Sequence, residues 1–133
     1  MTTITLNLPD SLAERAGGAA RAMHRPLEEV ITAMLDGVLP SLEDVPEDMQ
    51  AELVEMTWWD DARLMEAADA TMPDVRQRRM AQLSAKDGPS DLEREALDGL
   101  RREYGRVTLR KARALALLSI RSGKRLLADA HAA

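Results

Sequence analysis

Residues 2–8, Thr2-Thr3-Ile4-Thr5-Leu6-Asn7-Leu8, alternate polar and apolar side chains, and Pro9 closes the run. A period of two sends Ile4, Leu6 and Leu8 to one side and Thr3, Thr5 and Asn7 to the other, which predicts a β-strand. No second stretch of the chain reads this way. One strand is not a sheet, because its N–H and C=O groups need a partner backbone. The expectation is therefore that the strand pairs with its counterpart in another copy. That pairing makes an antiparallel ribbon and an obligate homodimer through residues 2–8.

Beyond Pro9, Asp10 or Ser11 is placed to cap a helix reaching about Met23, with Leu12, Ala16, Ala19, Ala20 and Met23 at helical spacing. His24 and Arg25 form a turn, and Pro26 stands where the first helical position is expected. The next helix presents Leu27, Val30, Ile31, Met34, Leu35 and Val38 on one face and stops near Gly37 to Pro40.

Strand, short helix, tight turn and helix in this order resemble the ribbon-helix-helix family, the group of the Arc and MetJ repressors and many bacterial antitoxins. The matching residues are Thr-Ile-Thr-Leu-Asn-Leu-Pro-Asp-Ser-Leu at 3–12 and His-Arg-Pro-Leu-Glu-Glu-Val-Ile at 24–31. The resemblance covers the first third of the chain. It implies that the ribbon enters the major groove of operator DNA and that Thr3, Thr5 and Asn7 read base edges, Asn by bidentate pairing with adenine. It further implies that Arg25 and the start of the second helix hold a phosphate. The family often carries Arg or Lys on the outward strand face, and this sequence has none. A ribbon that dimerises without binding DNA is the alternative.

From Pro40 onward the pattern is helical. Pro46 opens a short helix with Met49, Leu53 and Met56 inward. Thr57 followed by Asp60 suggests a cap for a helix over about 58–70. After Met72-Pro73 comes a third short helix with Val75, Met80 and Leu83. Lys86-Asp87-Gly88-Pro89 is a loop, and Ser90-Asp91-Leu92-Glu93 reads as a capping box. A long helix is expected from there to about Ser122, stopped by Gly123, with Gly105 as a possible kink. The fold expected is mainly α. A ribbon-helix-helix module over 1–40 is followed by a helical extension over 41–123 and a flexible tail over 124–133.

Charge is distributed unevenly. The chain of 133 residues has a net charge of −5. Residues 1–40 hold three basic and five acidic groups; residues 41–75 hold eleven acidic groups against Arg63 alone; residues 76–100 cancel at five each; residues 101–125 hold nine basic groups against Glu103 alone. Two readings are open: the −10 and +8 segments pair with each other, or each meets a partner. Arg102, Arg106, Arg110 and Arg113 form one basic stripe. The acidic helices, with Glu52 and Glu55, are suited to cover a basic cleft on another protein. Trp58 and Trp59 stand beside them as candidate anchors or as core, in a chain with 2% aromatic residues. From Ala114 to Ile120 the helix is apolar nearly all round and needs burial.

The region 46–123 is also similar to the tail of small bacterial antitoxin-like proteins, through Glu-Arg-Glu-Ala-Leu at 93–97 and Leu-Arg-Lys-Ala at 109–112. That similarity implies a cognate toxin, for example a nuclease, as partner.

Composition narrows the chemistry. There is no cysteine, so disulfides, thiolate metal sites and cysteine nucleophiles are excluded. Two histidines, His24 and His131, assemble no triad or HExxH helix, and Asp60-Asp61 point about 100° apart and chelate poorly. No catalytic residue, cofactor or metal is expected, and no membrane span; the start lacks a signal-peptide layout, which places the protein in the cytoplasm. The functional expectation is a toxin-neutralising antitoxin that represses its own operon. The alternatives are a stand-alone repressor and a helical dimerisation scaffold.

Overall fold

Among the described residues, four of the six helices begin directly after a proline, each with an acidic residue in its first turn. Proline has no N–H to leave unsatisfied at a helix start, and a carboxylate there is favoured by the helix dipole. In this computed structural model, which describes residues 1–132 without the side chains at 126, 128 and 130–132, the helices are as follows. They are α1 (Asp10–Met23), α2 (Leu27–Val38), α3 (Glu47–Glu55), α4 (Asp61–Asp69), α5 (Asp74–Ala85) and α6 (Asp91–Ala132), with a 3-10 turn at Met56–Trp58. The chain divides into two compact units, 1–41 and 42–133.

The expected strand is absent. Residues 1–9 adopt no regular structure, and no strand exists among the described residues, so the fold is all-helical and not a ribbon-helix-helix. Alternation biases seven residues toward extended backbone, but a strand exists only by its ladder to another, and this chain offers no second one. Ile4 and Leu6 are 75% and 63% exposed.

In the first unit α1 ends in a Schellman motif. His24 takes the left-handed conformation (φ 52°, ψ 43°), its N–H donates to the Arg21 carbonyl at 3.2 Å, and the Arg25 N–H donates to the Ala20 carbonyl at 3.1 Å. The turn folds α2 back onto α1. Of the apolar residues expected inward on these two helices, only Ala20 and Val30 are buried.

The second unit is organised on α6. Asp48 pairs with Arg106 and Glu52 with Arg110, so numbers rise together and α3 runs parallel to α6. Asp61 meets Arg121 and Arg125, Arg76 meets Glu103, and Lys86 meets Glu93, so α4 and then α5 descend antiparallel to it. Met49, Leu53, Met56, Leu64, Ala68, Ala114 and Leu117 form the core, and Val45, Trp59, Ala67, Leu109 and Leu118 pack against it.

Capping differs in one place from expectation and agrees in another. Asp60, not Thr57, caps α4, accepting from the Arg63 N–H at 2.8 Å. At α6 the capping box is present: the Glu93 N–H donates to Ser90 Oγ at 3.2 Å, and the Ser90 N–H donates to Glu93 Oε1 at 3.1 Å. The helix continues through Gly105 and Gly123 to Ala132, taking in residues 124–132 of the expected tail; residue 133 and the side chain of His131 lie outside the described residues. A single glycine costs about 1 kcal/mol in a helix and does not stop one whose flanking residues favour it. Val75, expected inward on α5, is exposed, whereas Leu83 is buried.

Candidate interaction surfaces

The basic stripe and the acidic segment meet within the second unit. The guanidinium of Arg110 grips both carboxylate oxygens of Glu52, with Nη2 to Oε2 at 3.1 Å. These bonds hold the Glu52 carboxyl below its ordinary range, against the opposing effect of burial, and raise Arg110 in turn. Arg113 donates through Nε to the Leu53 carbonyl and through Nη2 to Thr57 Oγ1, each at 3.2 Å. It thereby satisfies a carbonyl near the end of α3, and burial lowers its pKa. Higher on α6, Arg121 donates to Asp61 Oδ1 at 2.9 Å and to the Thr57 carbonyl at 3.0 Å, and Arg125 to Asp61 Oδ2 at 2.6 Å. Both hydrogen bonds hold Asp61 below the usual carboxylate range.

Of the partner-binding residues expected from sequence, Glu52, Arg106, Arg110 and Arg113 are thus brought together, but in the service of the fold. Glu55, Trp58 and Arg102 are exposed, and their side chains make no ion pair or hydrogen bond among the described residues. Trp59 packs on the core with the Arg63 guanidinium 3.7 Å from its ring centroid, while Trp58 is 78% exposed. Asp48, one of the acidic residues expected to cover a partner, instead joins the network, and Asp61, Arg121 and Arg125, which were not expected, complete it. The signal for them is the spacing: carboxylates four apart at 48 and 52 match arginines four apart at 106 and 110, and the arginine series resumes at 121 and 125.

In the first unit Thr3, Thr5 and Asn7 are exposed on a segment with no strand, so the ribbon implied for DNA readout is not present to hold them. Arg25 pairs with Glu29 one turn along α2. The prominent feature of this unit is apolar exposure. Leu27, Met34, Leu35 and Val38 on α2, Leu12 and Met23 on α1, and the N-terminal Ile4 and Leu6 all face outward.

One large concave surface lies in the second unit, a groove of about 960 Å³ on α6 beside the start of α3. Tyr104, Gly105, Thr108 and Leu109 line it together with charged side chains of both signs, Arg101, Arg102 and Arg106 with Asp48 and Asp98. Among the described residues no three His, Asp or Glu side chains are grouped to hold a metal, and no helix is long and apolar enough to cross a membrane. No protein-family model, curated protein or solved structure matches this chain.

Proposed function

We propose that this protein is a non-catalytic, self-associating binding protein of the cytoplasm, in which the first unit joins a second copy through the open apolar faces of α1 and α2. One observation carries the reading: a 41-residue unit that buries only Ala20 and Val30 leaves Leu27, Met34, Leu35 and Val38 on one face of α2 outward. Units of this size rarely bury enough surface to fold alone, and association is the usual remedy. A second copy is the partner always present wherever the first is made, and a face of aliphatic side chains is self-complementary in a two-fold pair. The unit's three basic and five acidic groups leave a charge of −2, too little to oppose pairing.

Sedimentation over a wide concentration range tests this. The full chain is expected to weigh twice its sequence mass. Met34→Asp with Leu35→Asp is expected to shift it to monomer while the second unit, with its own core, stays helical. A wild-type chain that is monomeric at every concentration overturns the proposal.

A second reading is supported by Trp58. A large aromatic side chain left 78% exposed, next to Glu55 and Asp60, is the type of group that anchors protein interfaces. On this reading the second unit captures a protein, the role expected of an antitoxin toward its toxin.

A further inference from the structure

Projected at 100° per residue, α6 has one side that no other helix of its unit covers. Along it from residue 104 to 127, large side chains stand at the two edges, Tyr104 and Leu115 on one and Leu109, Ile120 and Leu127 on the other. Between them the centre is Gly105, Ala112, Ala116 and Gly123. Large edges with a small floor make a trough. The 960 Å³ groove is its lower end, lined by Tyr104, Gly105 and Leu109 and also by Asp98 and the Asp48–Arg106 pair. Leu115 and Ile120 are 51% and 47% exposed, and a Cβ added at Gly105 or Gly123 would meet nothing within 4 Å. Small residues along one helix face let the side-chain ridge of a further helix approach closely.

Charge says which helix. Of the nine basic residues between 101 and 125, five are engaged inside the unit: Arg106, Arg110, Arg113, Arg121 and Arg125. The side chains of Arg101, Arg102, Lys111 and Lys124 make no ion pair or hydrogen bond among the described residues, and they border the trough. The one acidic residue of this stretch, Glu103, is turned to the opposite side, onto Arg76. The trough is therefore uncharged along its floor from Gly105 to Gly123 and bordered by these four cations, while Asp98 and the Arg106-paired Asp48 stand at its lower mouth.

We infer that this trough docks an acidic amphipathic helix of another protein, its apolar ridge on the Gly105-to-Gly123 floor and its flanking carboxylates on Arg101, Arg102, Lys111 and Lys124. The same helix already holds α3 and α4 this way on its other sides, through Asp48, Glu52 and Asp61. A second α6 is a poor occupant, since it would set cationic rims against cationic rims. This inference concerns the second unit and does not depend on how the first associates.

The probe is a synthetic helical peptide of about six turns with a Leu/Ala ridge flanked by Glu, labelled for fluorescence anisotropy, against the full-length protein. The control peptide carries Lys at the flanks. The Glu-flanked peptide is expected to bind and the Lys-flanked one not, with binding weakened by added salt. Arg101→Glu with Arg102→Glu and Lys111→Glu is expected to weaken binding at least tenfold, as is Ala112→Arg on the floor. Arg78→Glu with Arg79→Glu, on α5 away from the trough, is expected to leave binding unchanged. Met34→Asp with Leu35→Asp should also bind normally, which separates this test from that of self-association. Equal binding of both peptides, no binding of either, or insensitivity to Ala112→Arg overturns the inference. So does loss of self-association in the Ala112→Arg variant, which would make a second copy the occupant.

Discussion

Glu52 and Arg110 decide whether the charge asymmetry of this chain is spent within the molecule. The perturbation is a double-mutant cycle with Glu52→Gln, Arg110→Met and the pair together. Arg110 reaches both carboxylate oxygens, and the two side chains are 30% and 35% exposed. Fully exposed pairs couple by about 0.2–1 kcal/mol, and breaking a buried pair costs about 3–5 kcal/mol. Two-point geometry at roughly one-third exposure, discounted for solvent screening, places this pair near the top of the exposed range, at about 1 kcal/mol. Both tryptophans lie in the second unit, so their emission during urea unfolding reports that unit without interference from the first.

The pH dependence has a definite sign. Glu52 is held below its ordinary 4.5 in the folded state, first by the hydrogen bonds from Arg110. Its unfolded form therefore takes up a proton before its folded form does. The coupling is fully present above the unfolded value and is lost as pH falls through the folded one. A cycle at neutral pH should return about 1 kcal/mol, and the coupling should shrink as pH falls below the ordinary carboxylate range. A neutral-pH coupling below about 0.2 kcal/mol, or one unchanged in acid, would refute the assignment and return the acidic segment to the role of a free partner-binding surface.

Two further perturbations separate fold from surface. Trp58→Ala should change the stability of the second unit by less than about 0.5 kcal/mol, as exposed substitutions do, whereas Trp59→Ala should cost about 2 kcal/mol through lost packing and the lost Arg63 contact. Thermal melts of the two variants check this, and equal losses would show that the two rings have been wrongly distinguished. Glu93, held by Lys86 Nζ at 2.5 Å and by the Ser90 N–H, should titrate at about 2 in place of 4.5. Its contribution therefore persists until pH falls well below the ordinary carboxylate range, and a carboxyl chemical-shift titration with Lys86→Ala as comparison reads the shift directly.

The helical part of the fold was legible because its signals are local. Prolines at 9, 26, 46 and 73 followed by acidic residues mark helix starts, and Ser90 with Glu93 marks another, each by satisfying or removing N–H groups within one turn. The pairing of acidic with basic segments was legible as one of two readings, since matched spacings of four on two helices permit it but do not require it. The extent of α6 was not legible. Gly123 stops a helix only if the chain gains from turning there, and the arginines at 121 and 125 instead gain Asp61 by staying helical. The strand failed for the reason that it is not a local structure: residues 2–8 carry its alternation, but no partner strand exists among the described residues.

The internal pairing also changes what a partner meets. The net charge of −5 describes a chain, not a surface. Four basic side chains of α6 are paired with Asp48, Glu52 and Asp61, the last shared by two of them, and Arg113 is turned onto backbone and hydroxyl oxygens. What is left on the open side of α6 is cationic, while Glu43, Asp44, Glu47 and Glu55 remain exposed around α3. At physiological ionic strength charges act over about 8 Å, so a ligand at either surface responds to the local groups and not to the sum. An acidic helix is then attracted by the four cations along the trough and repelled by the acidic start of α3 beside its lower end.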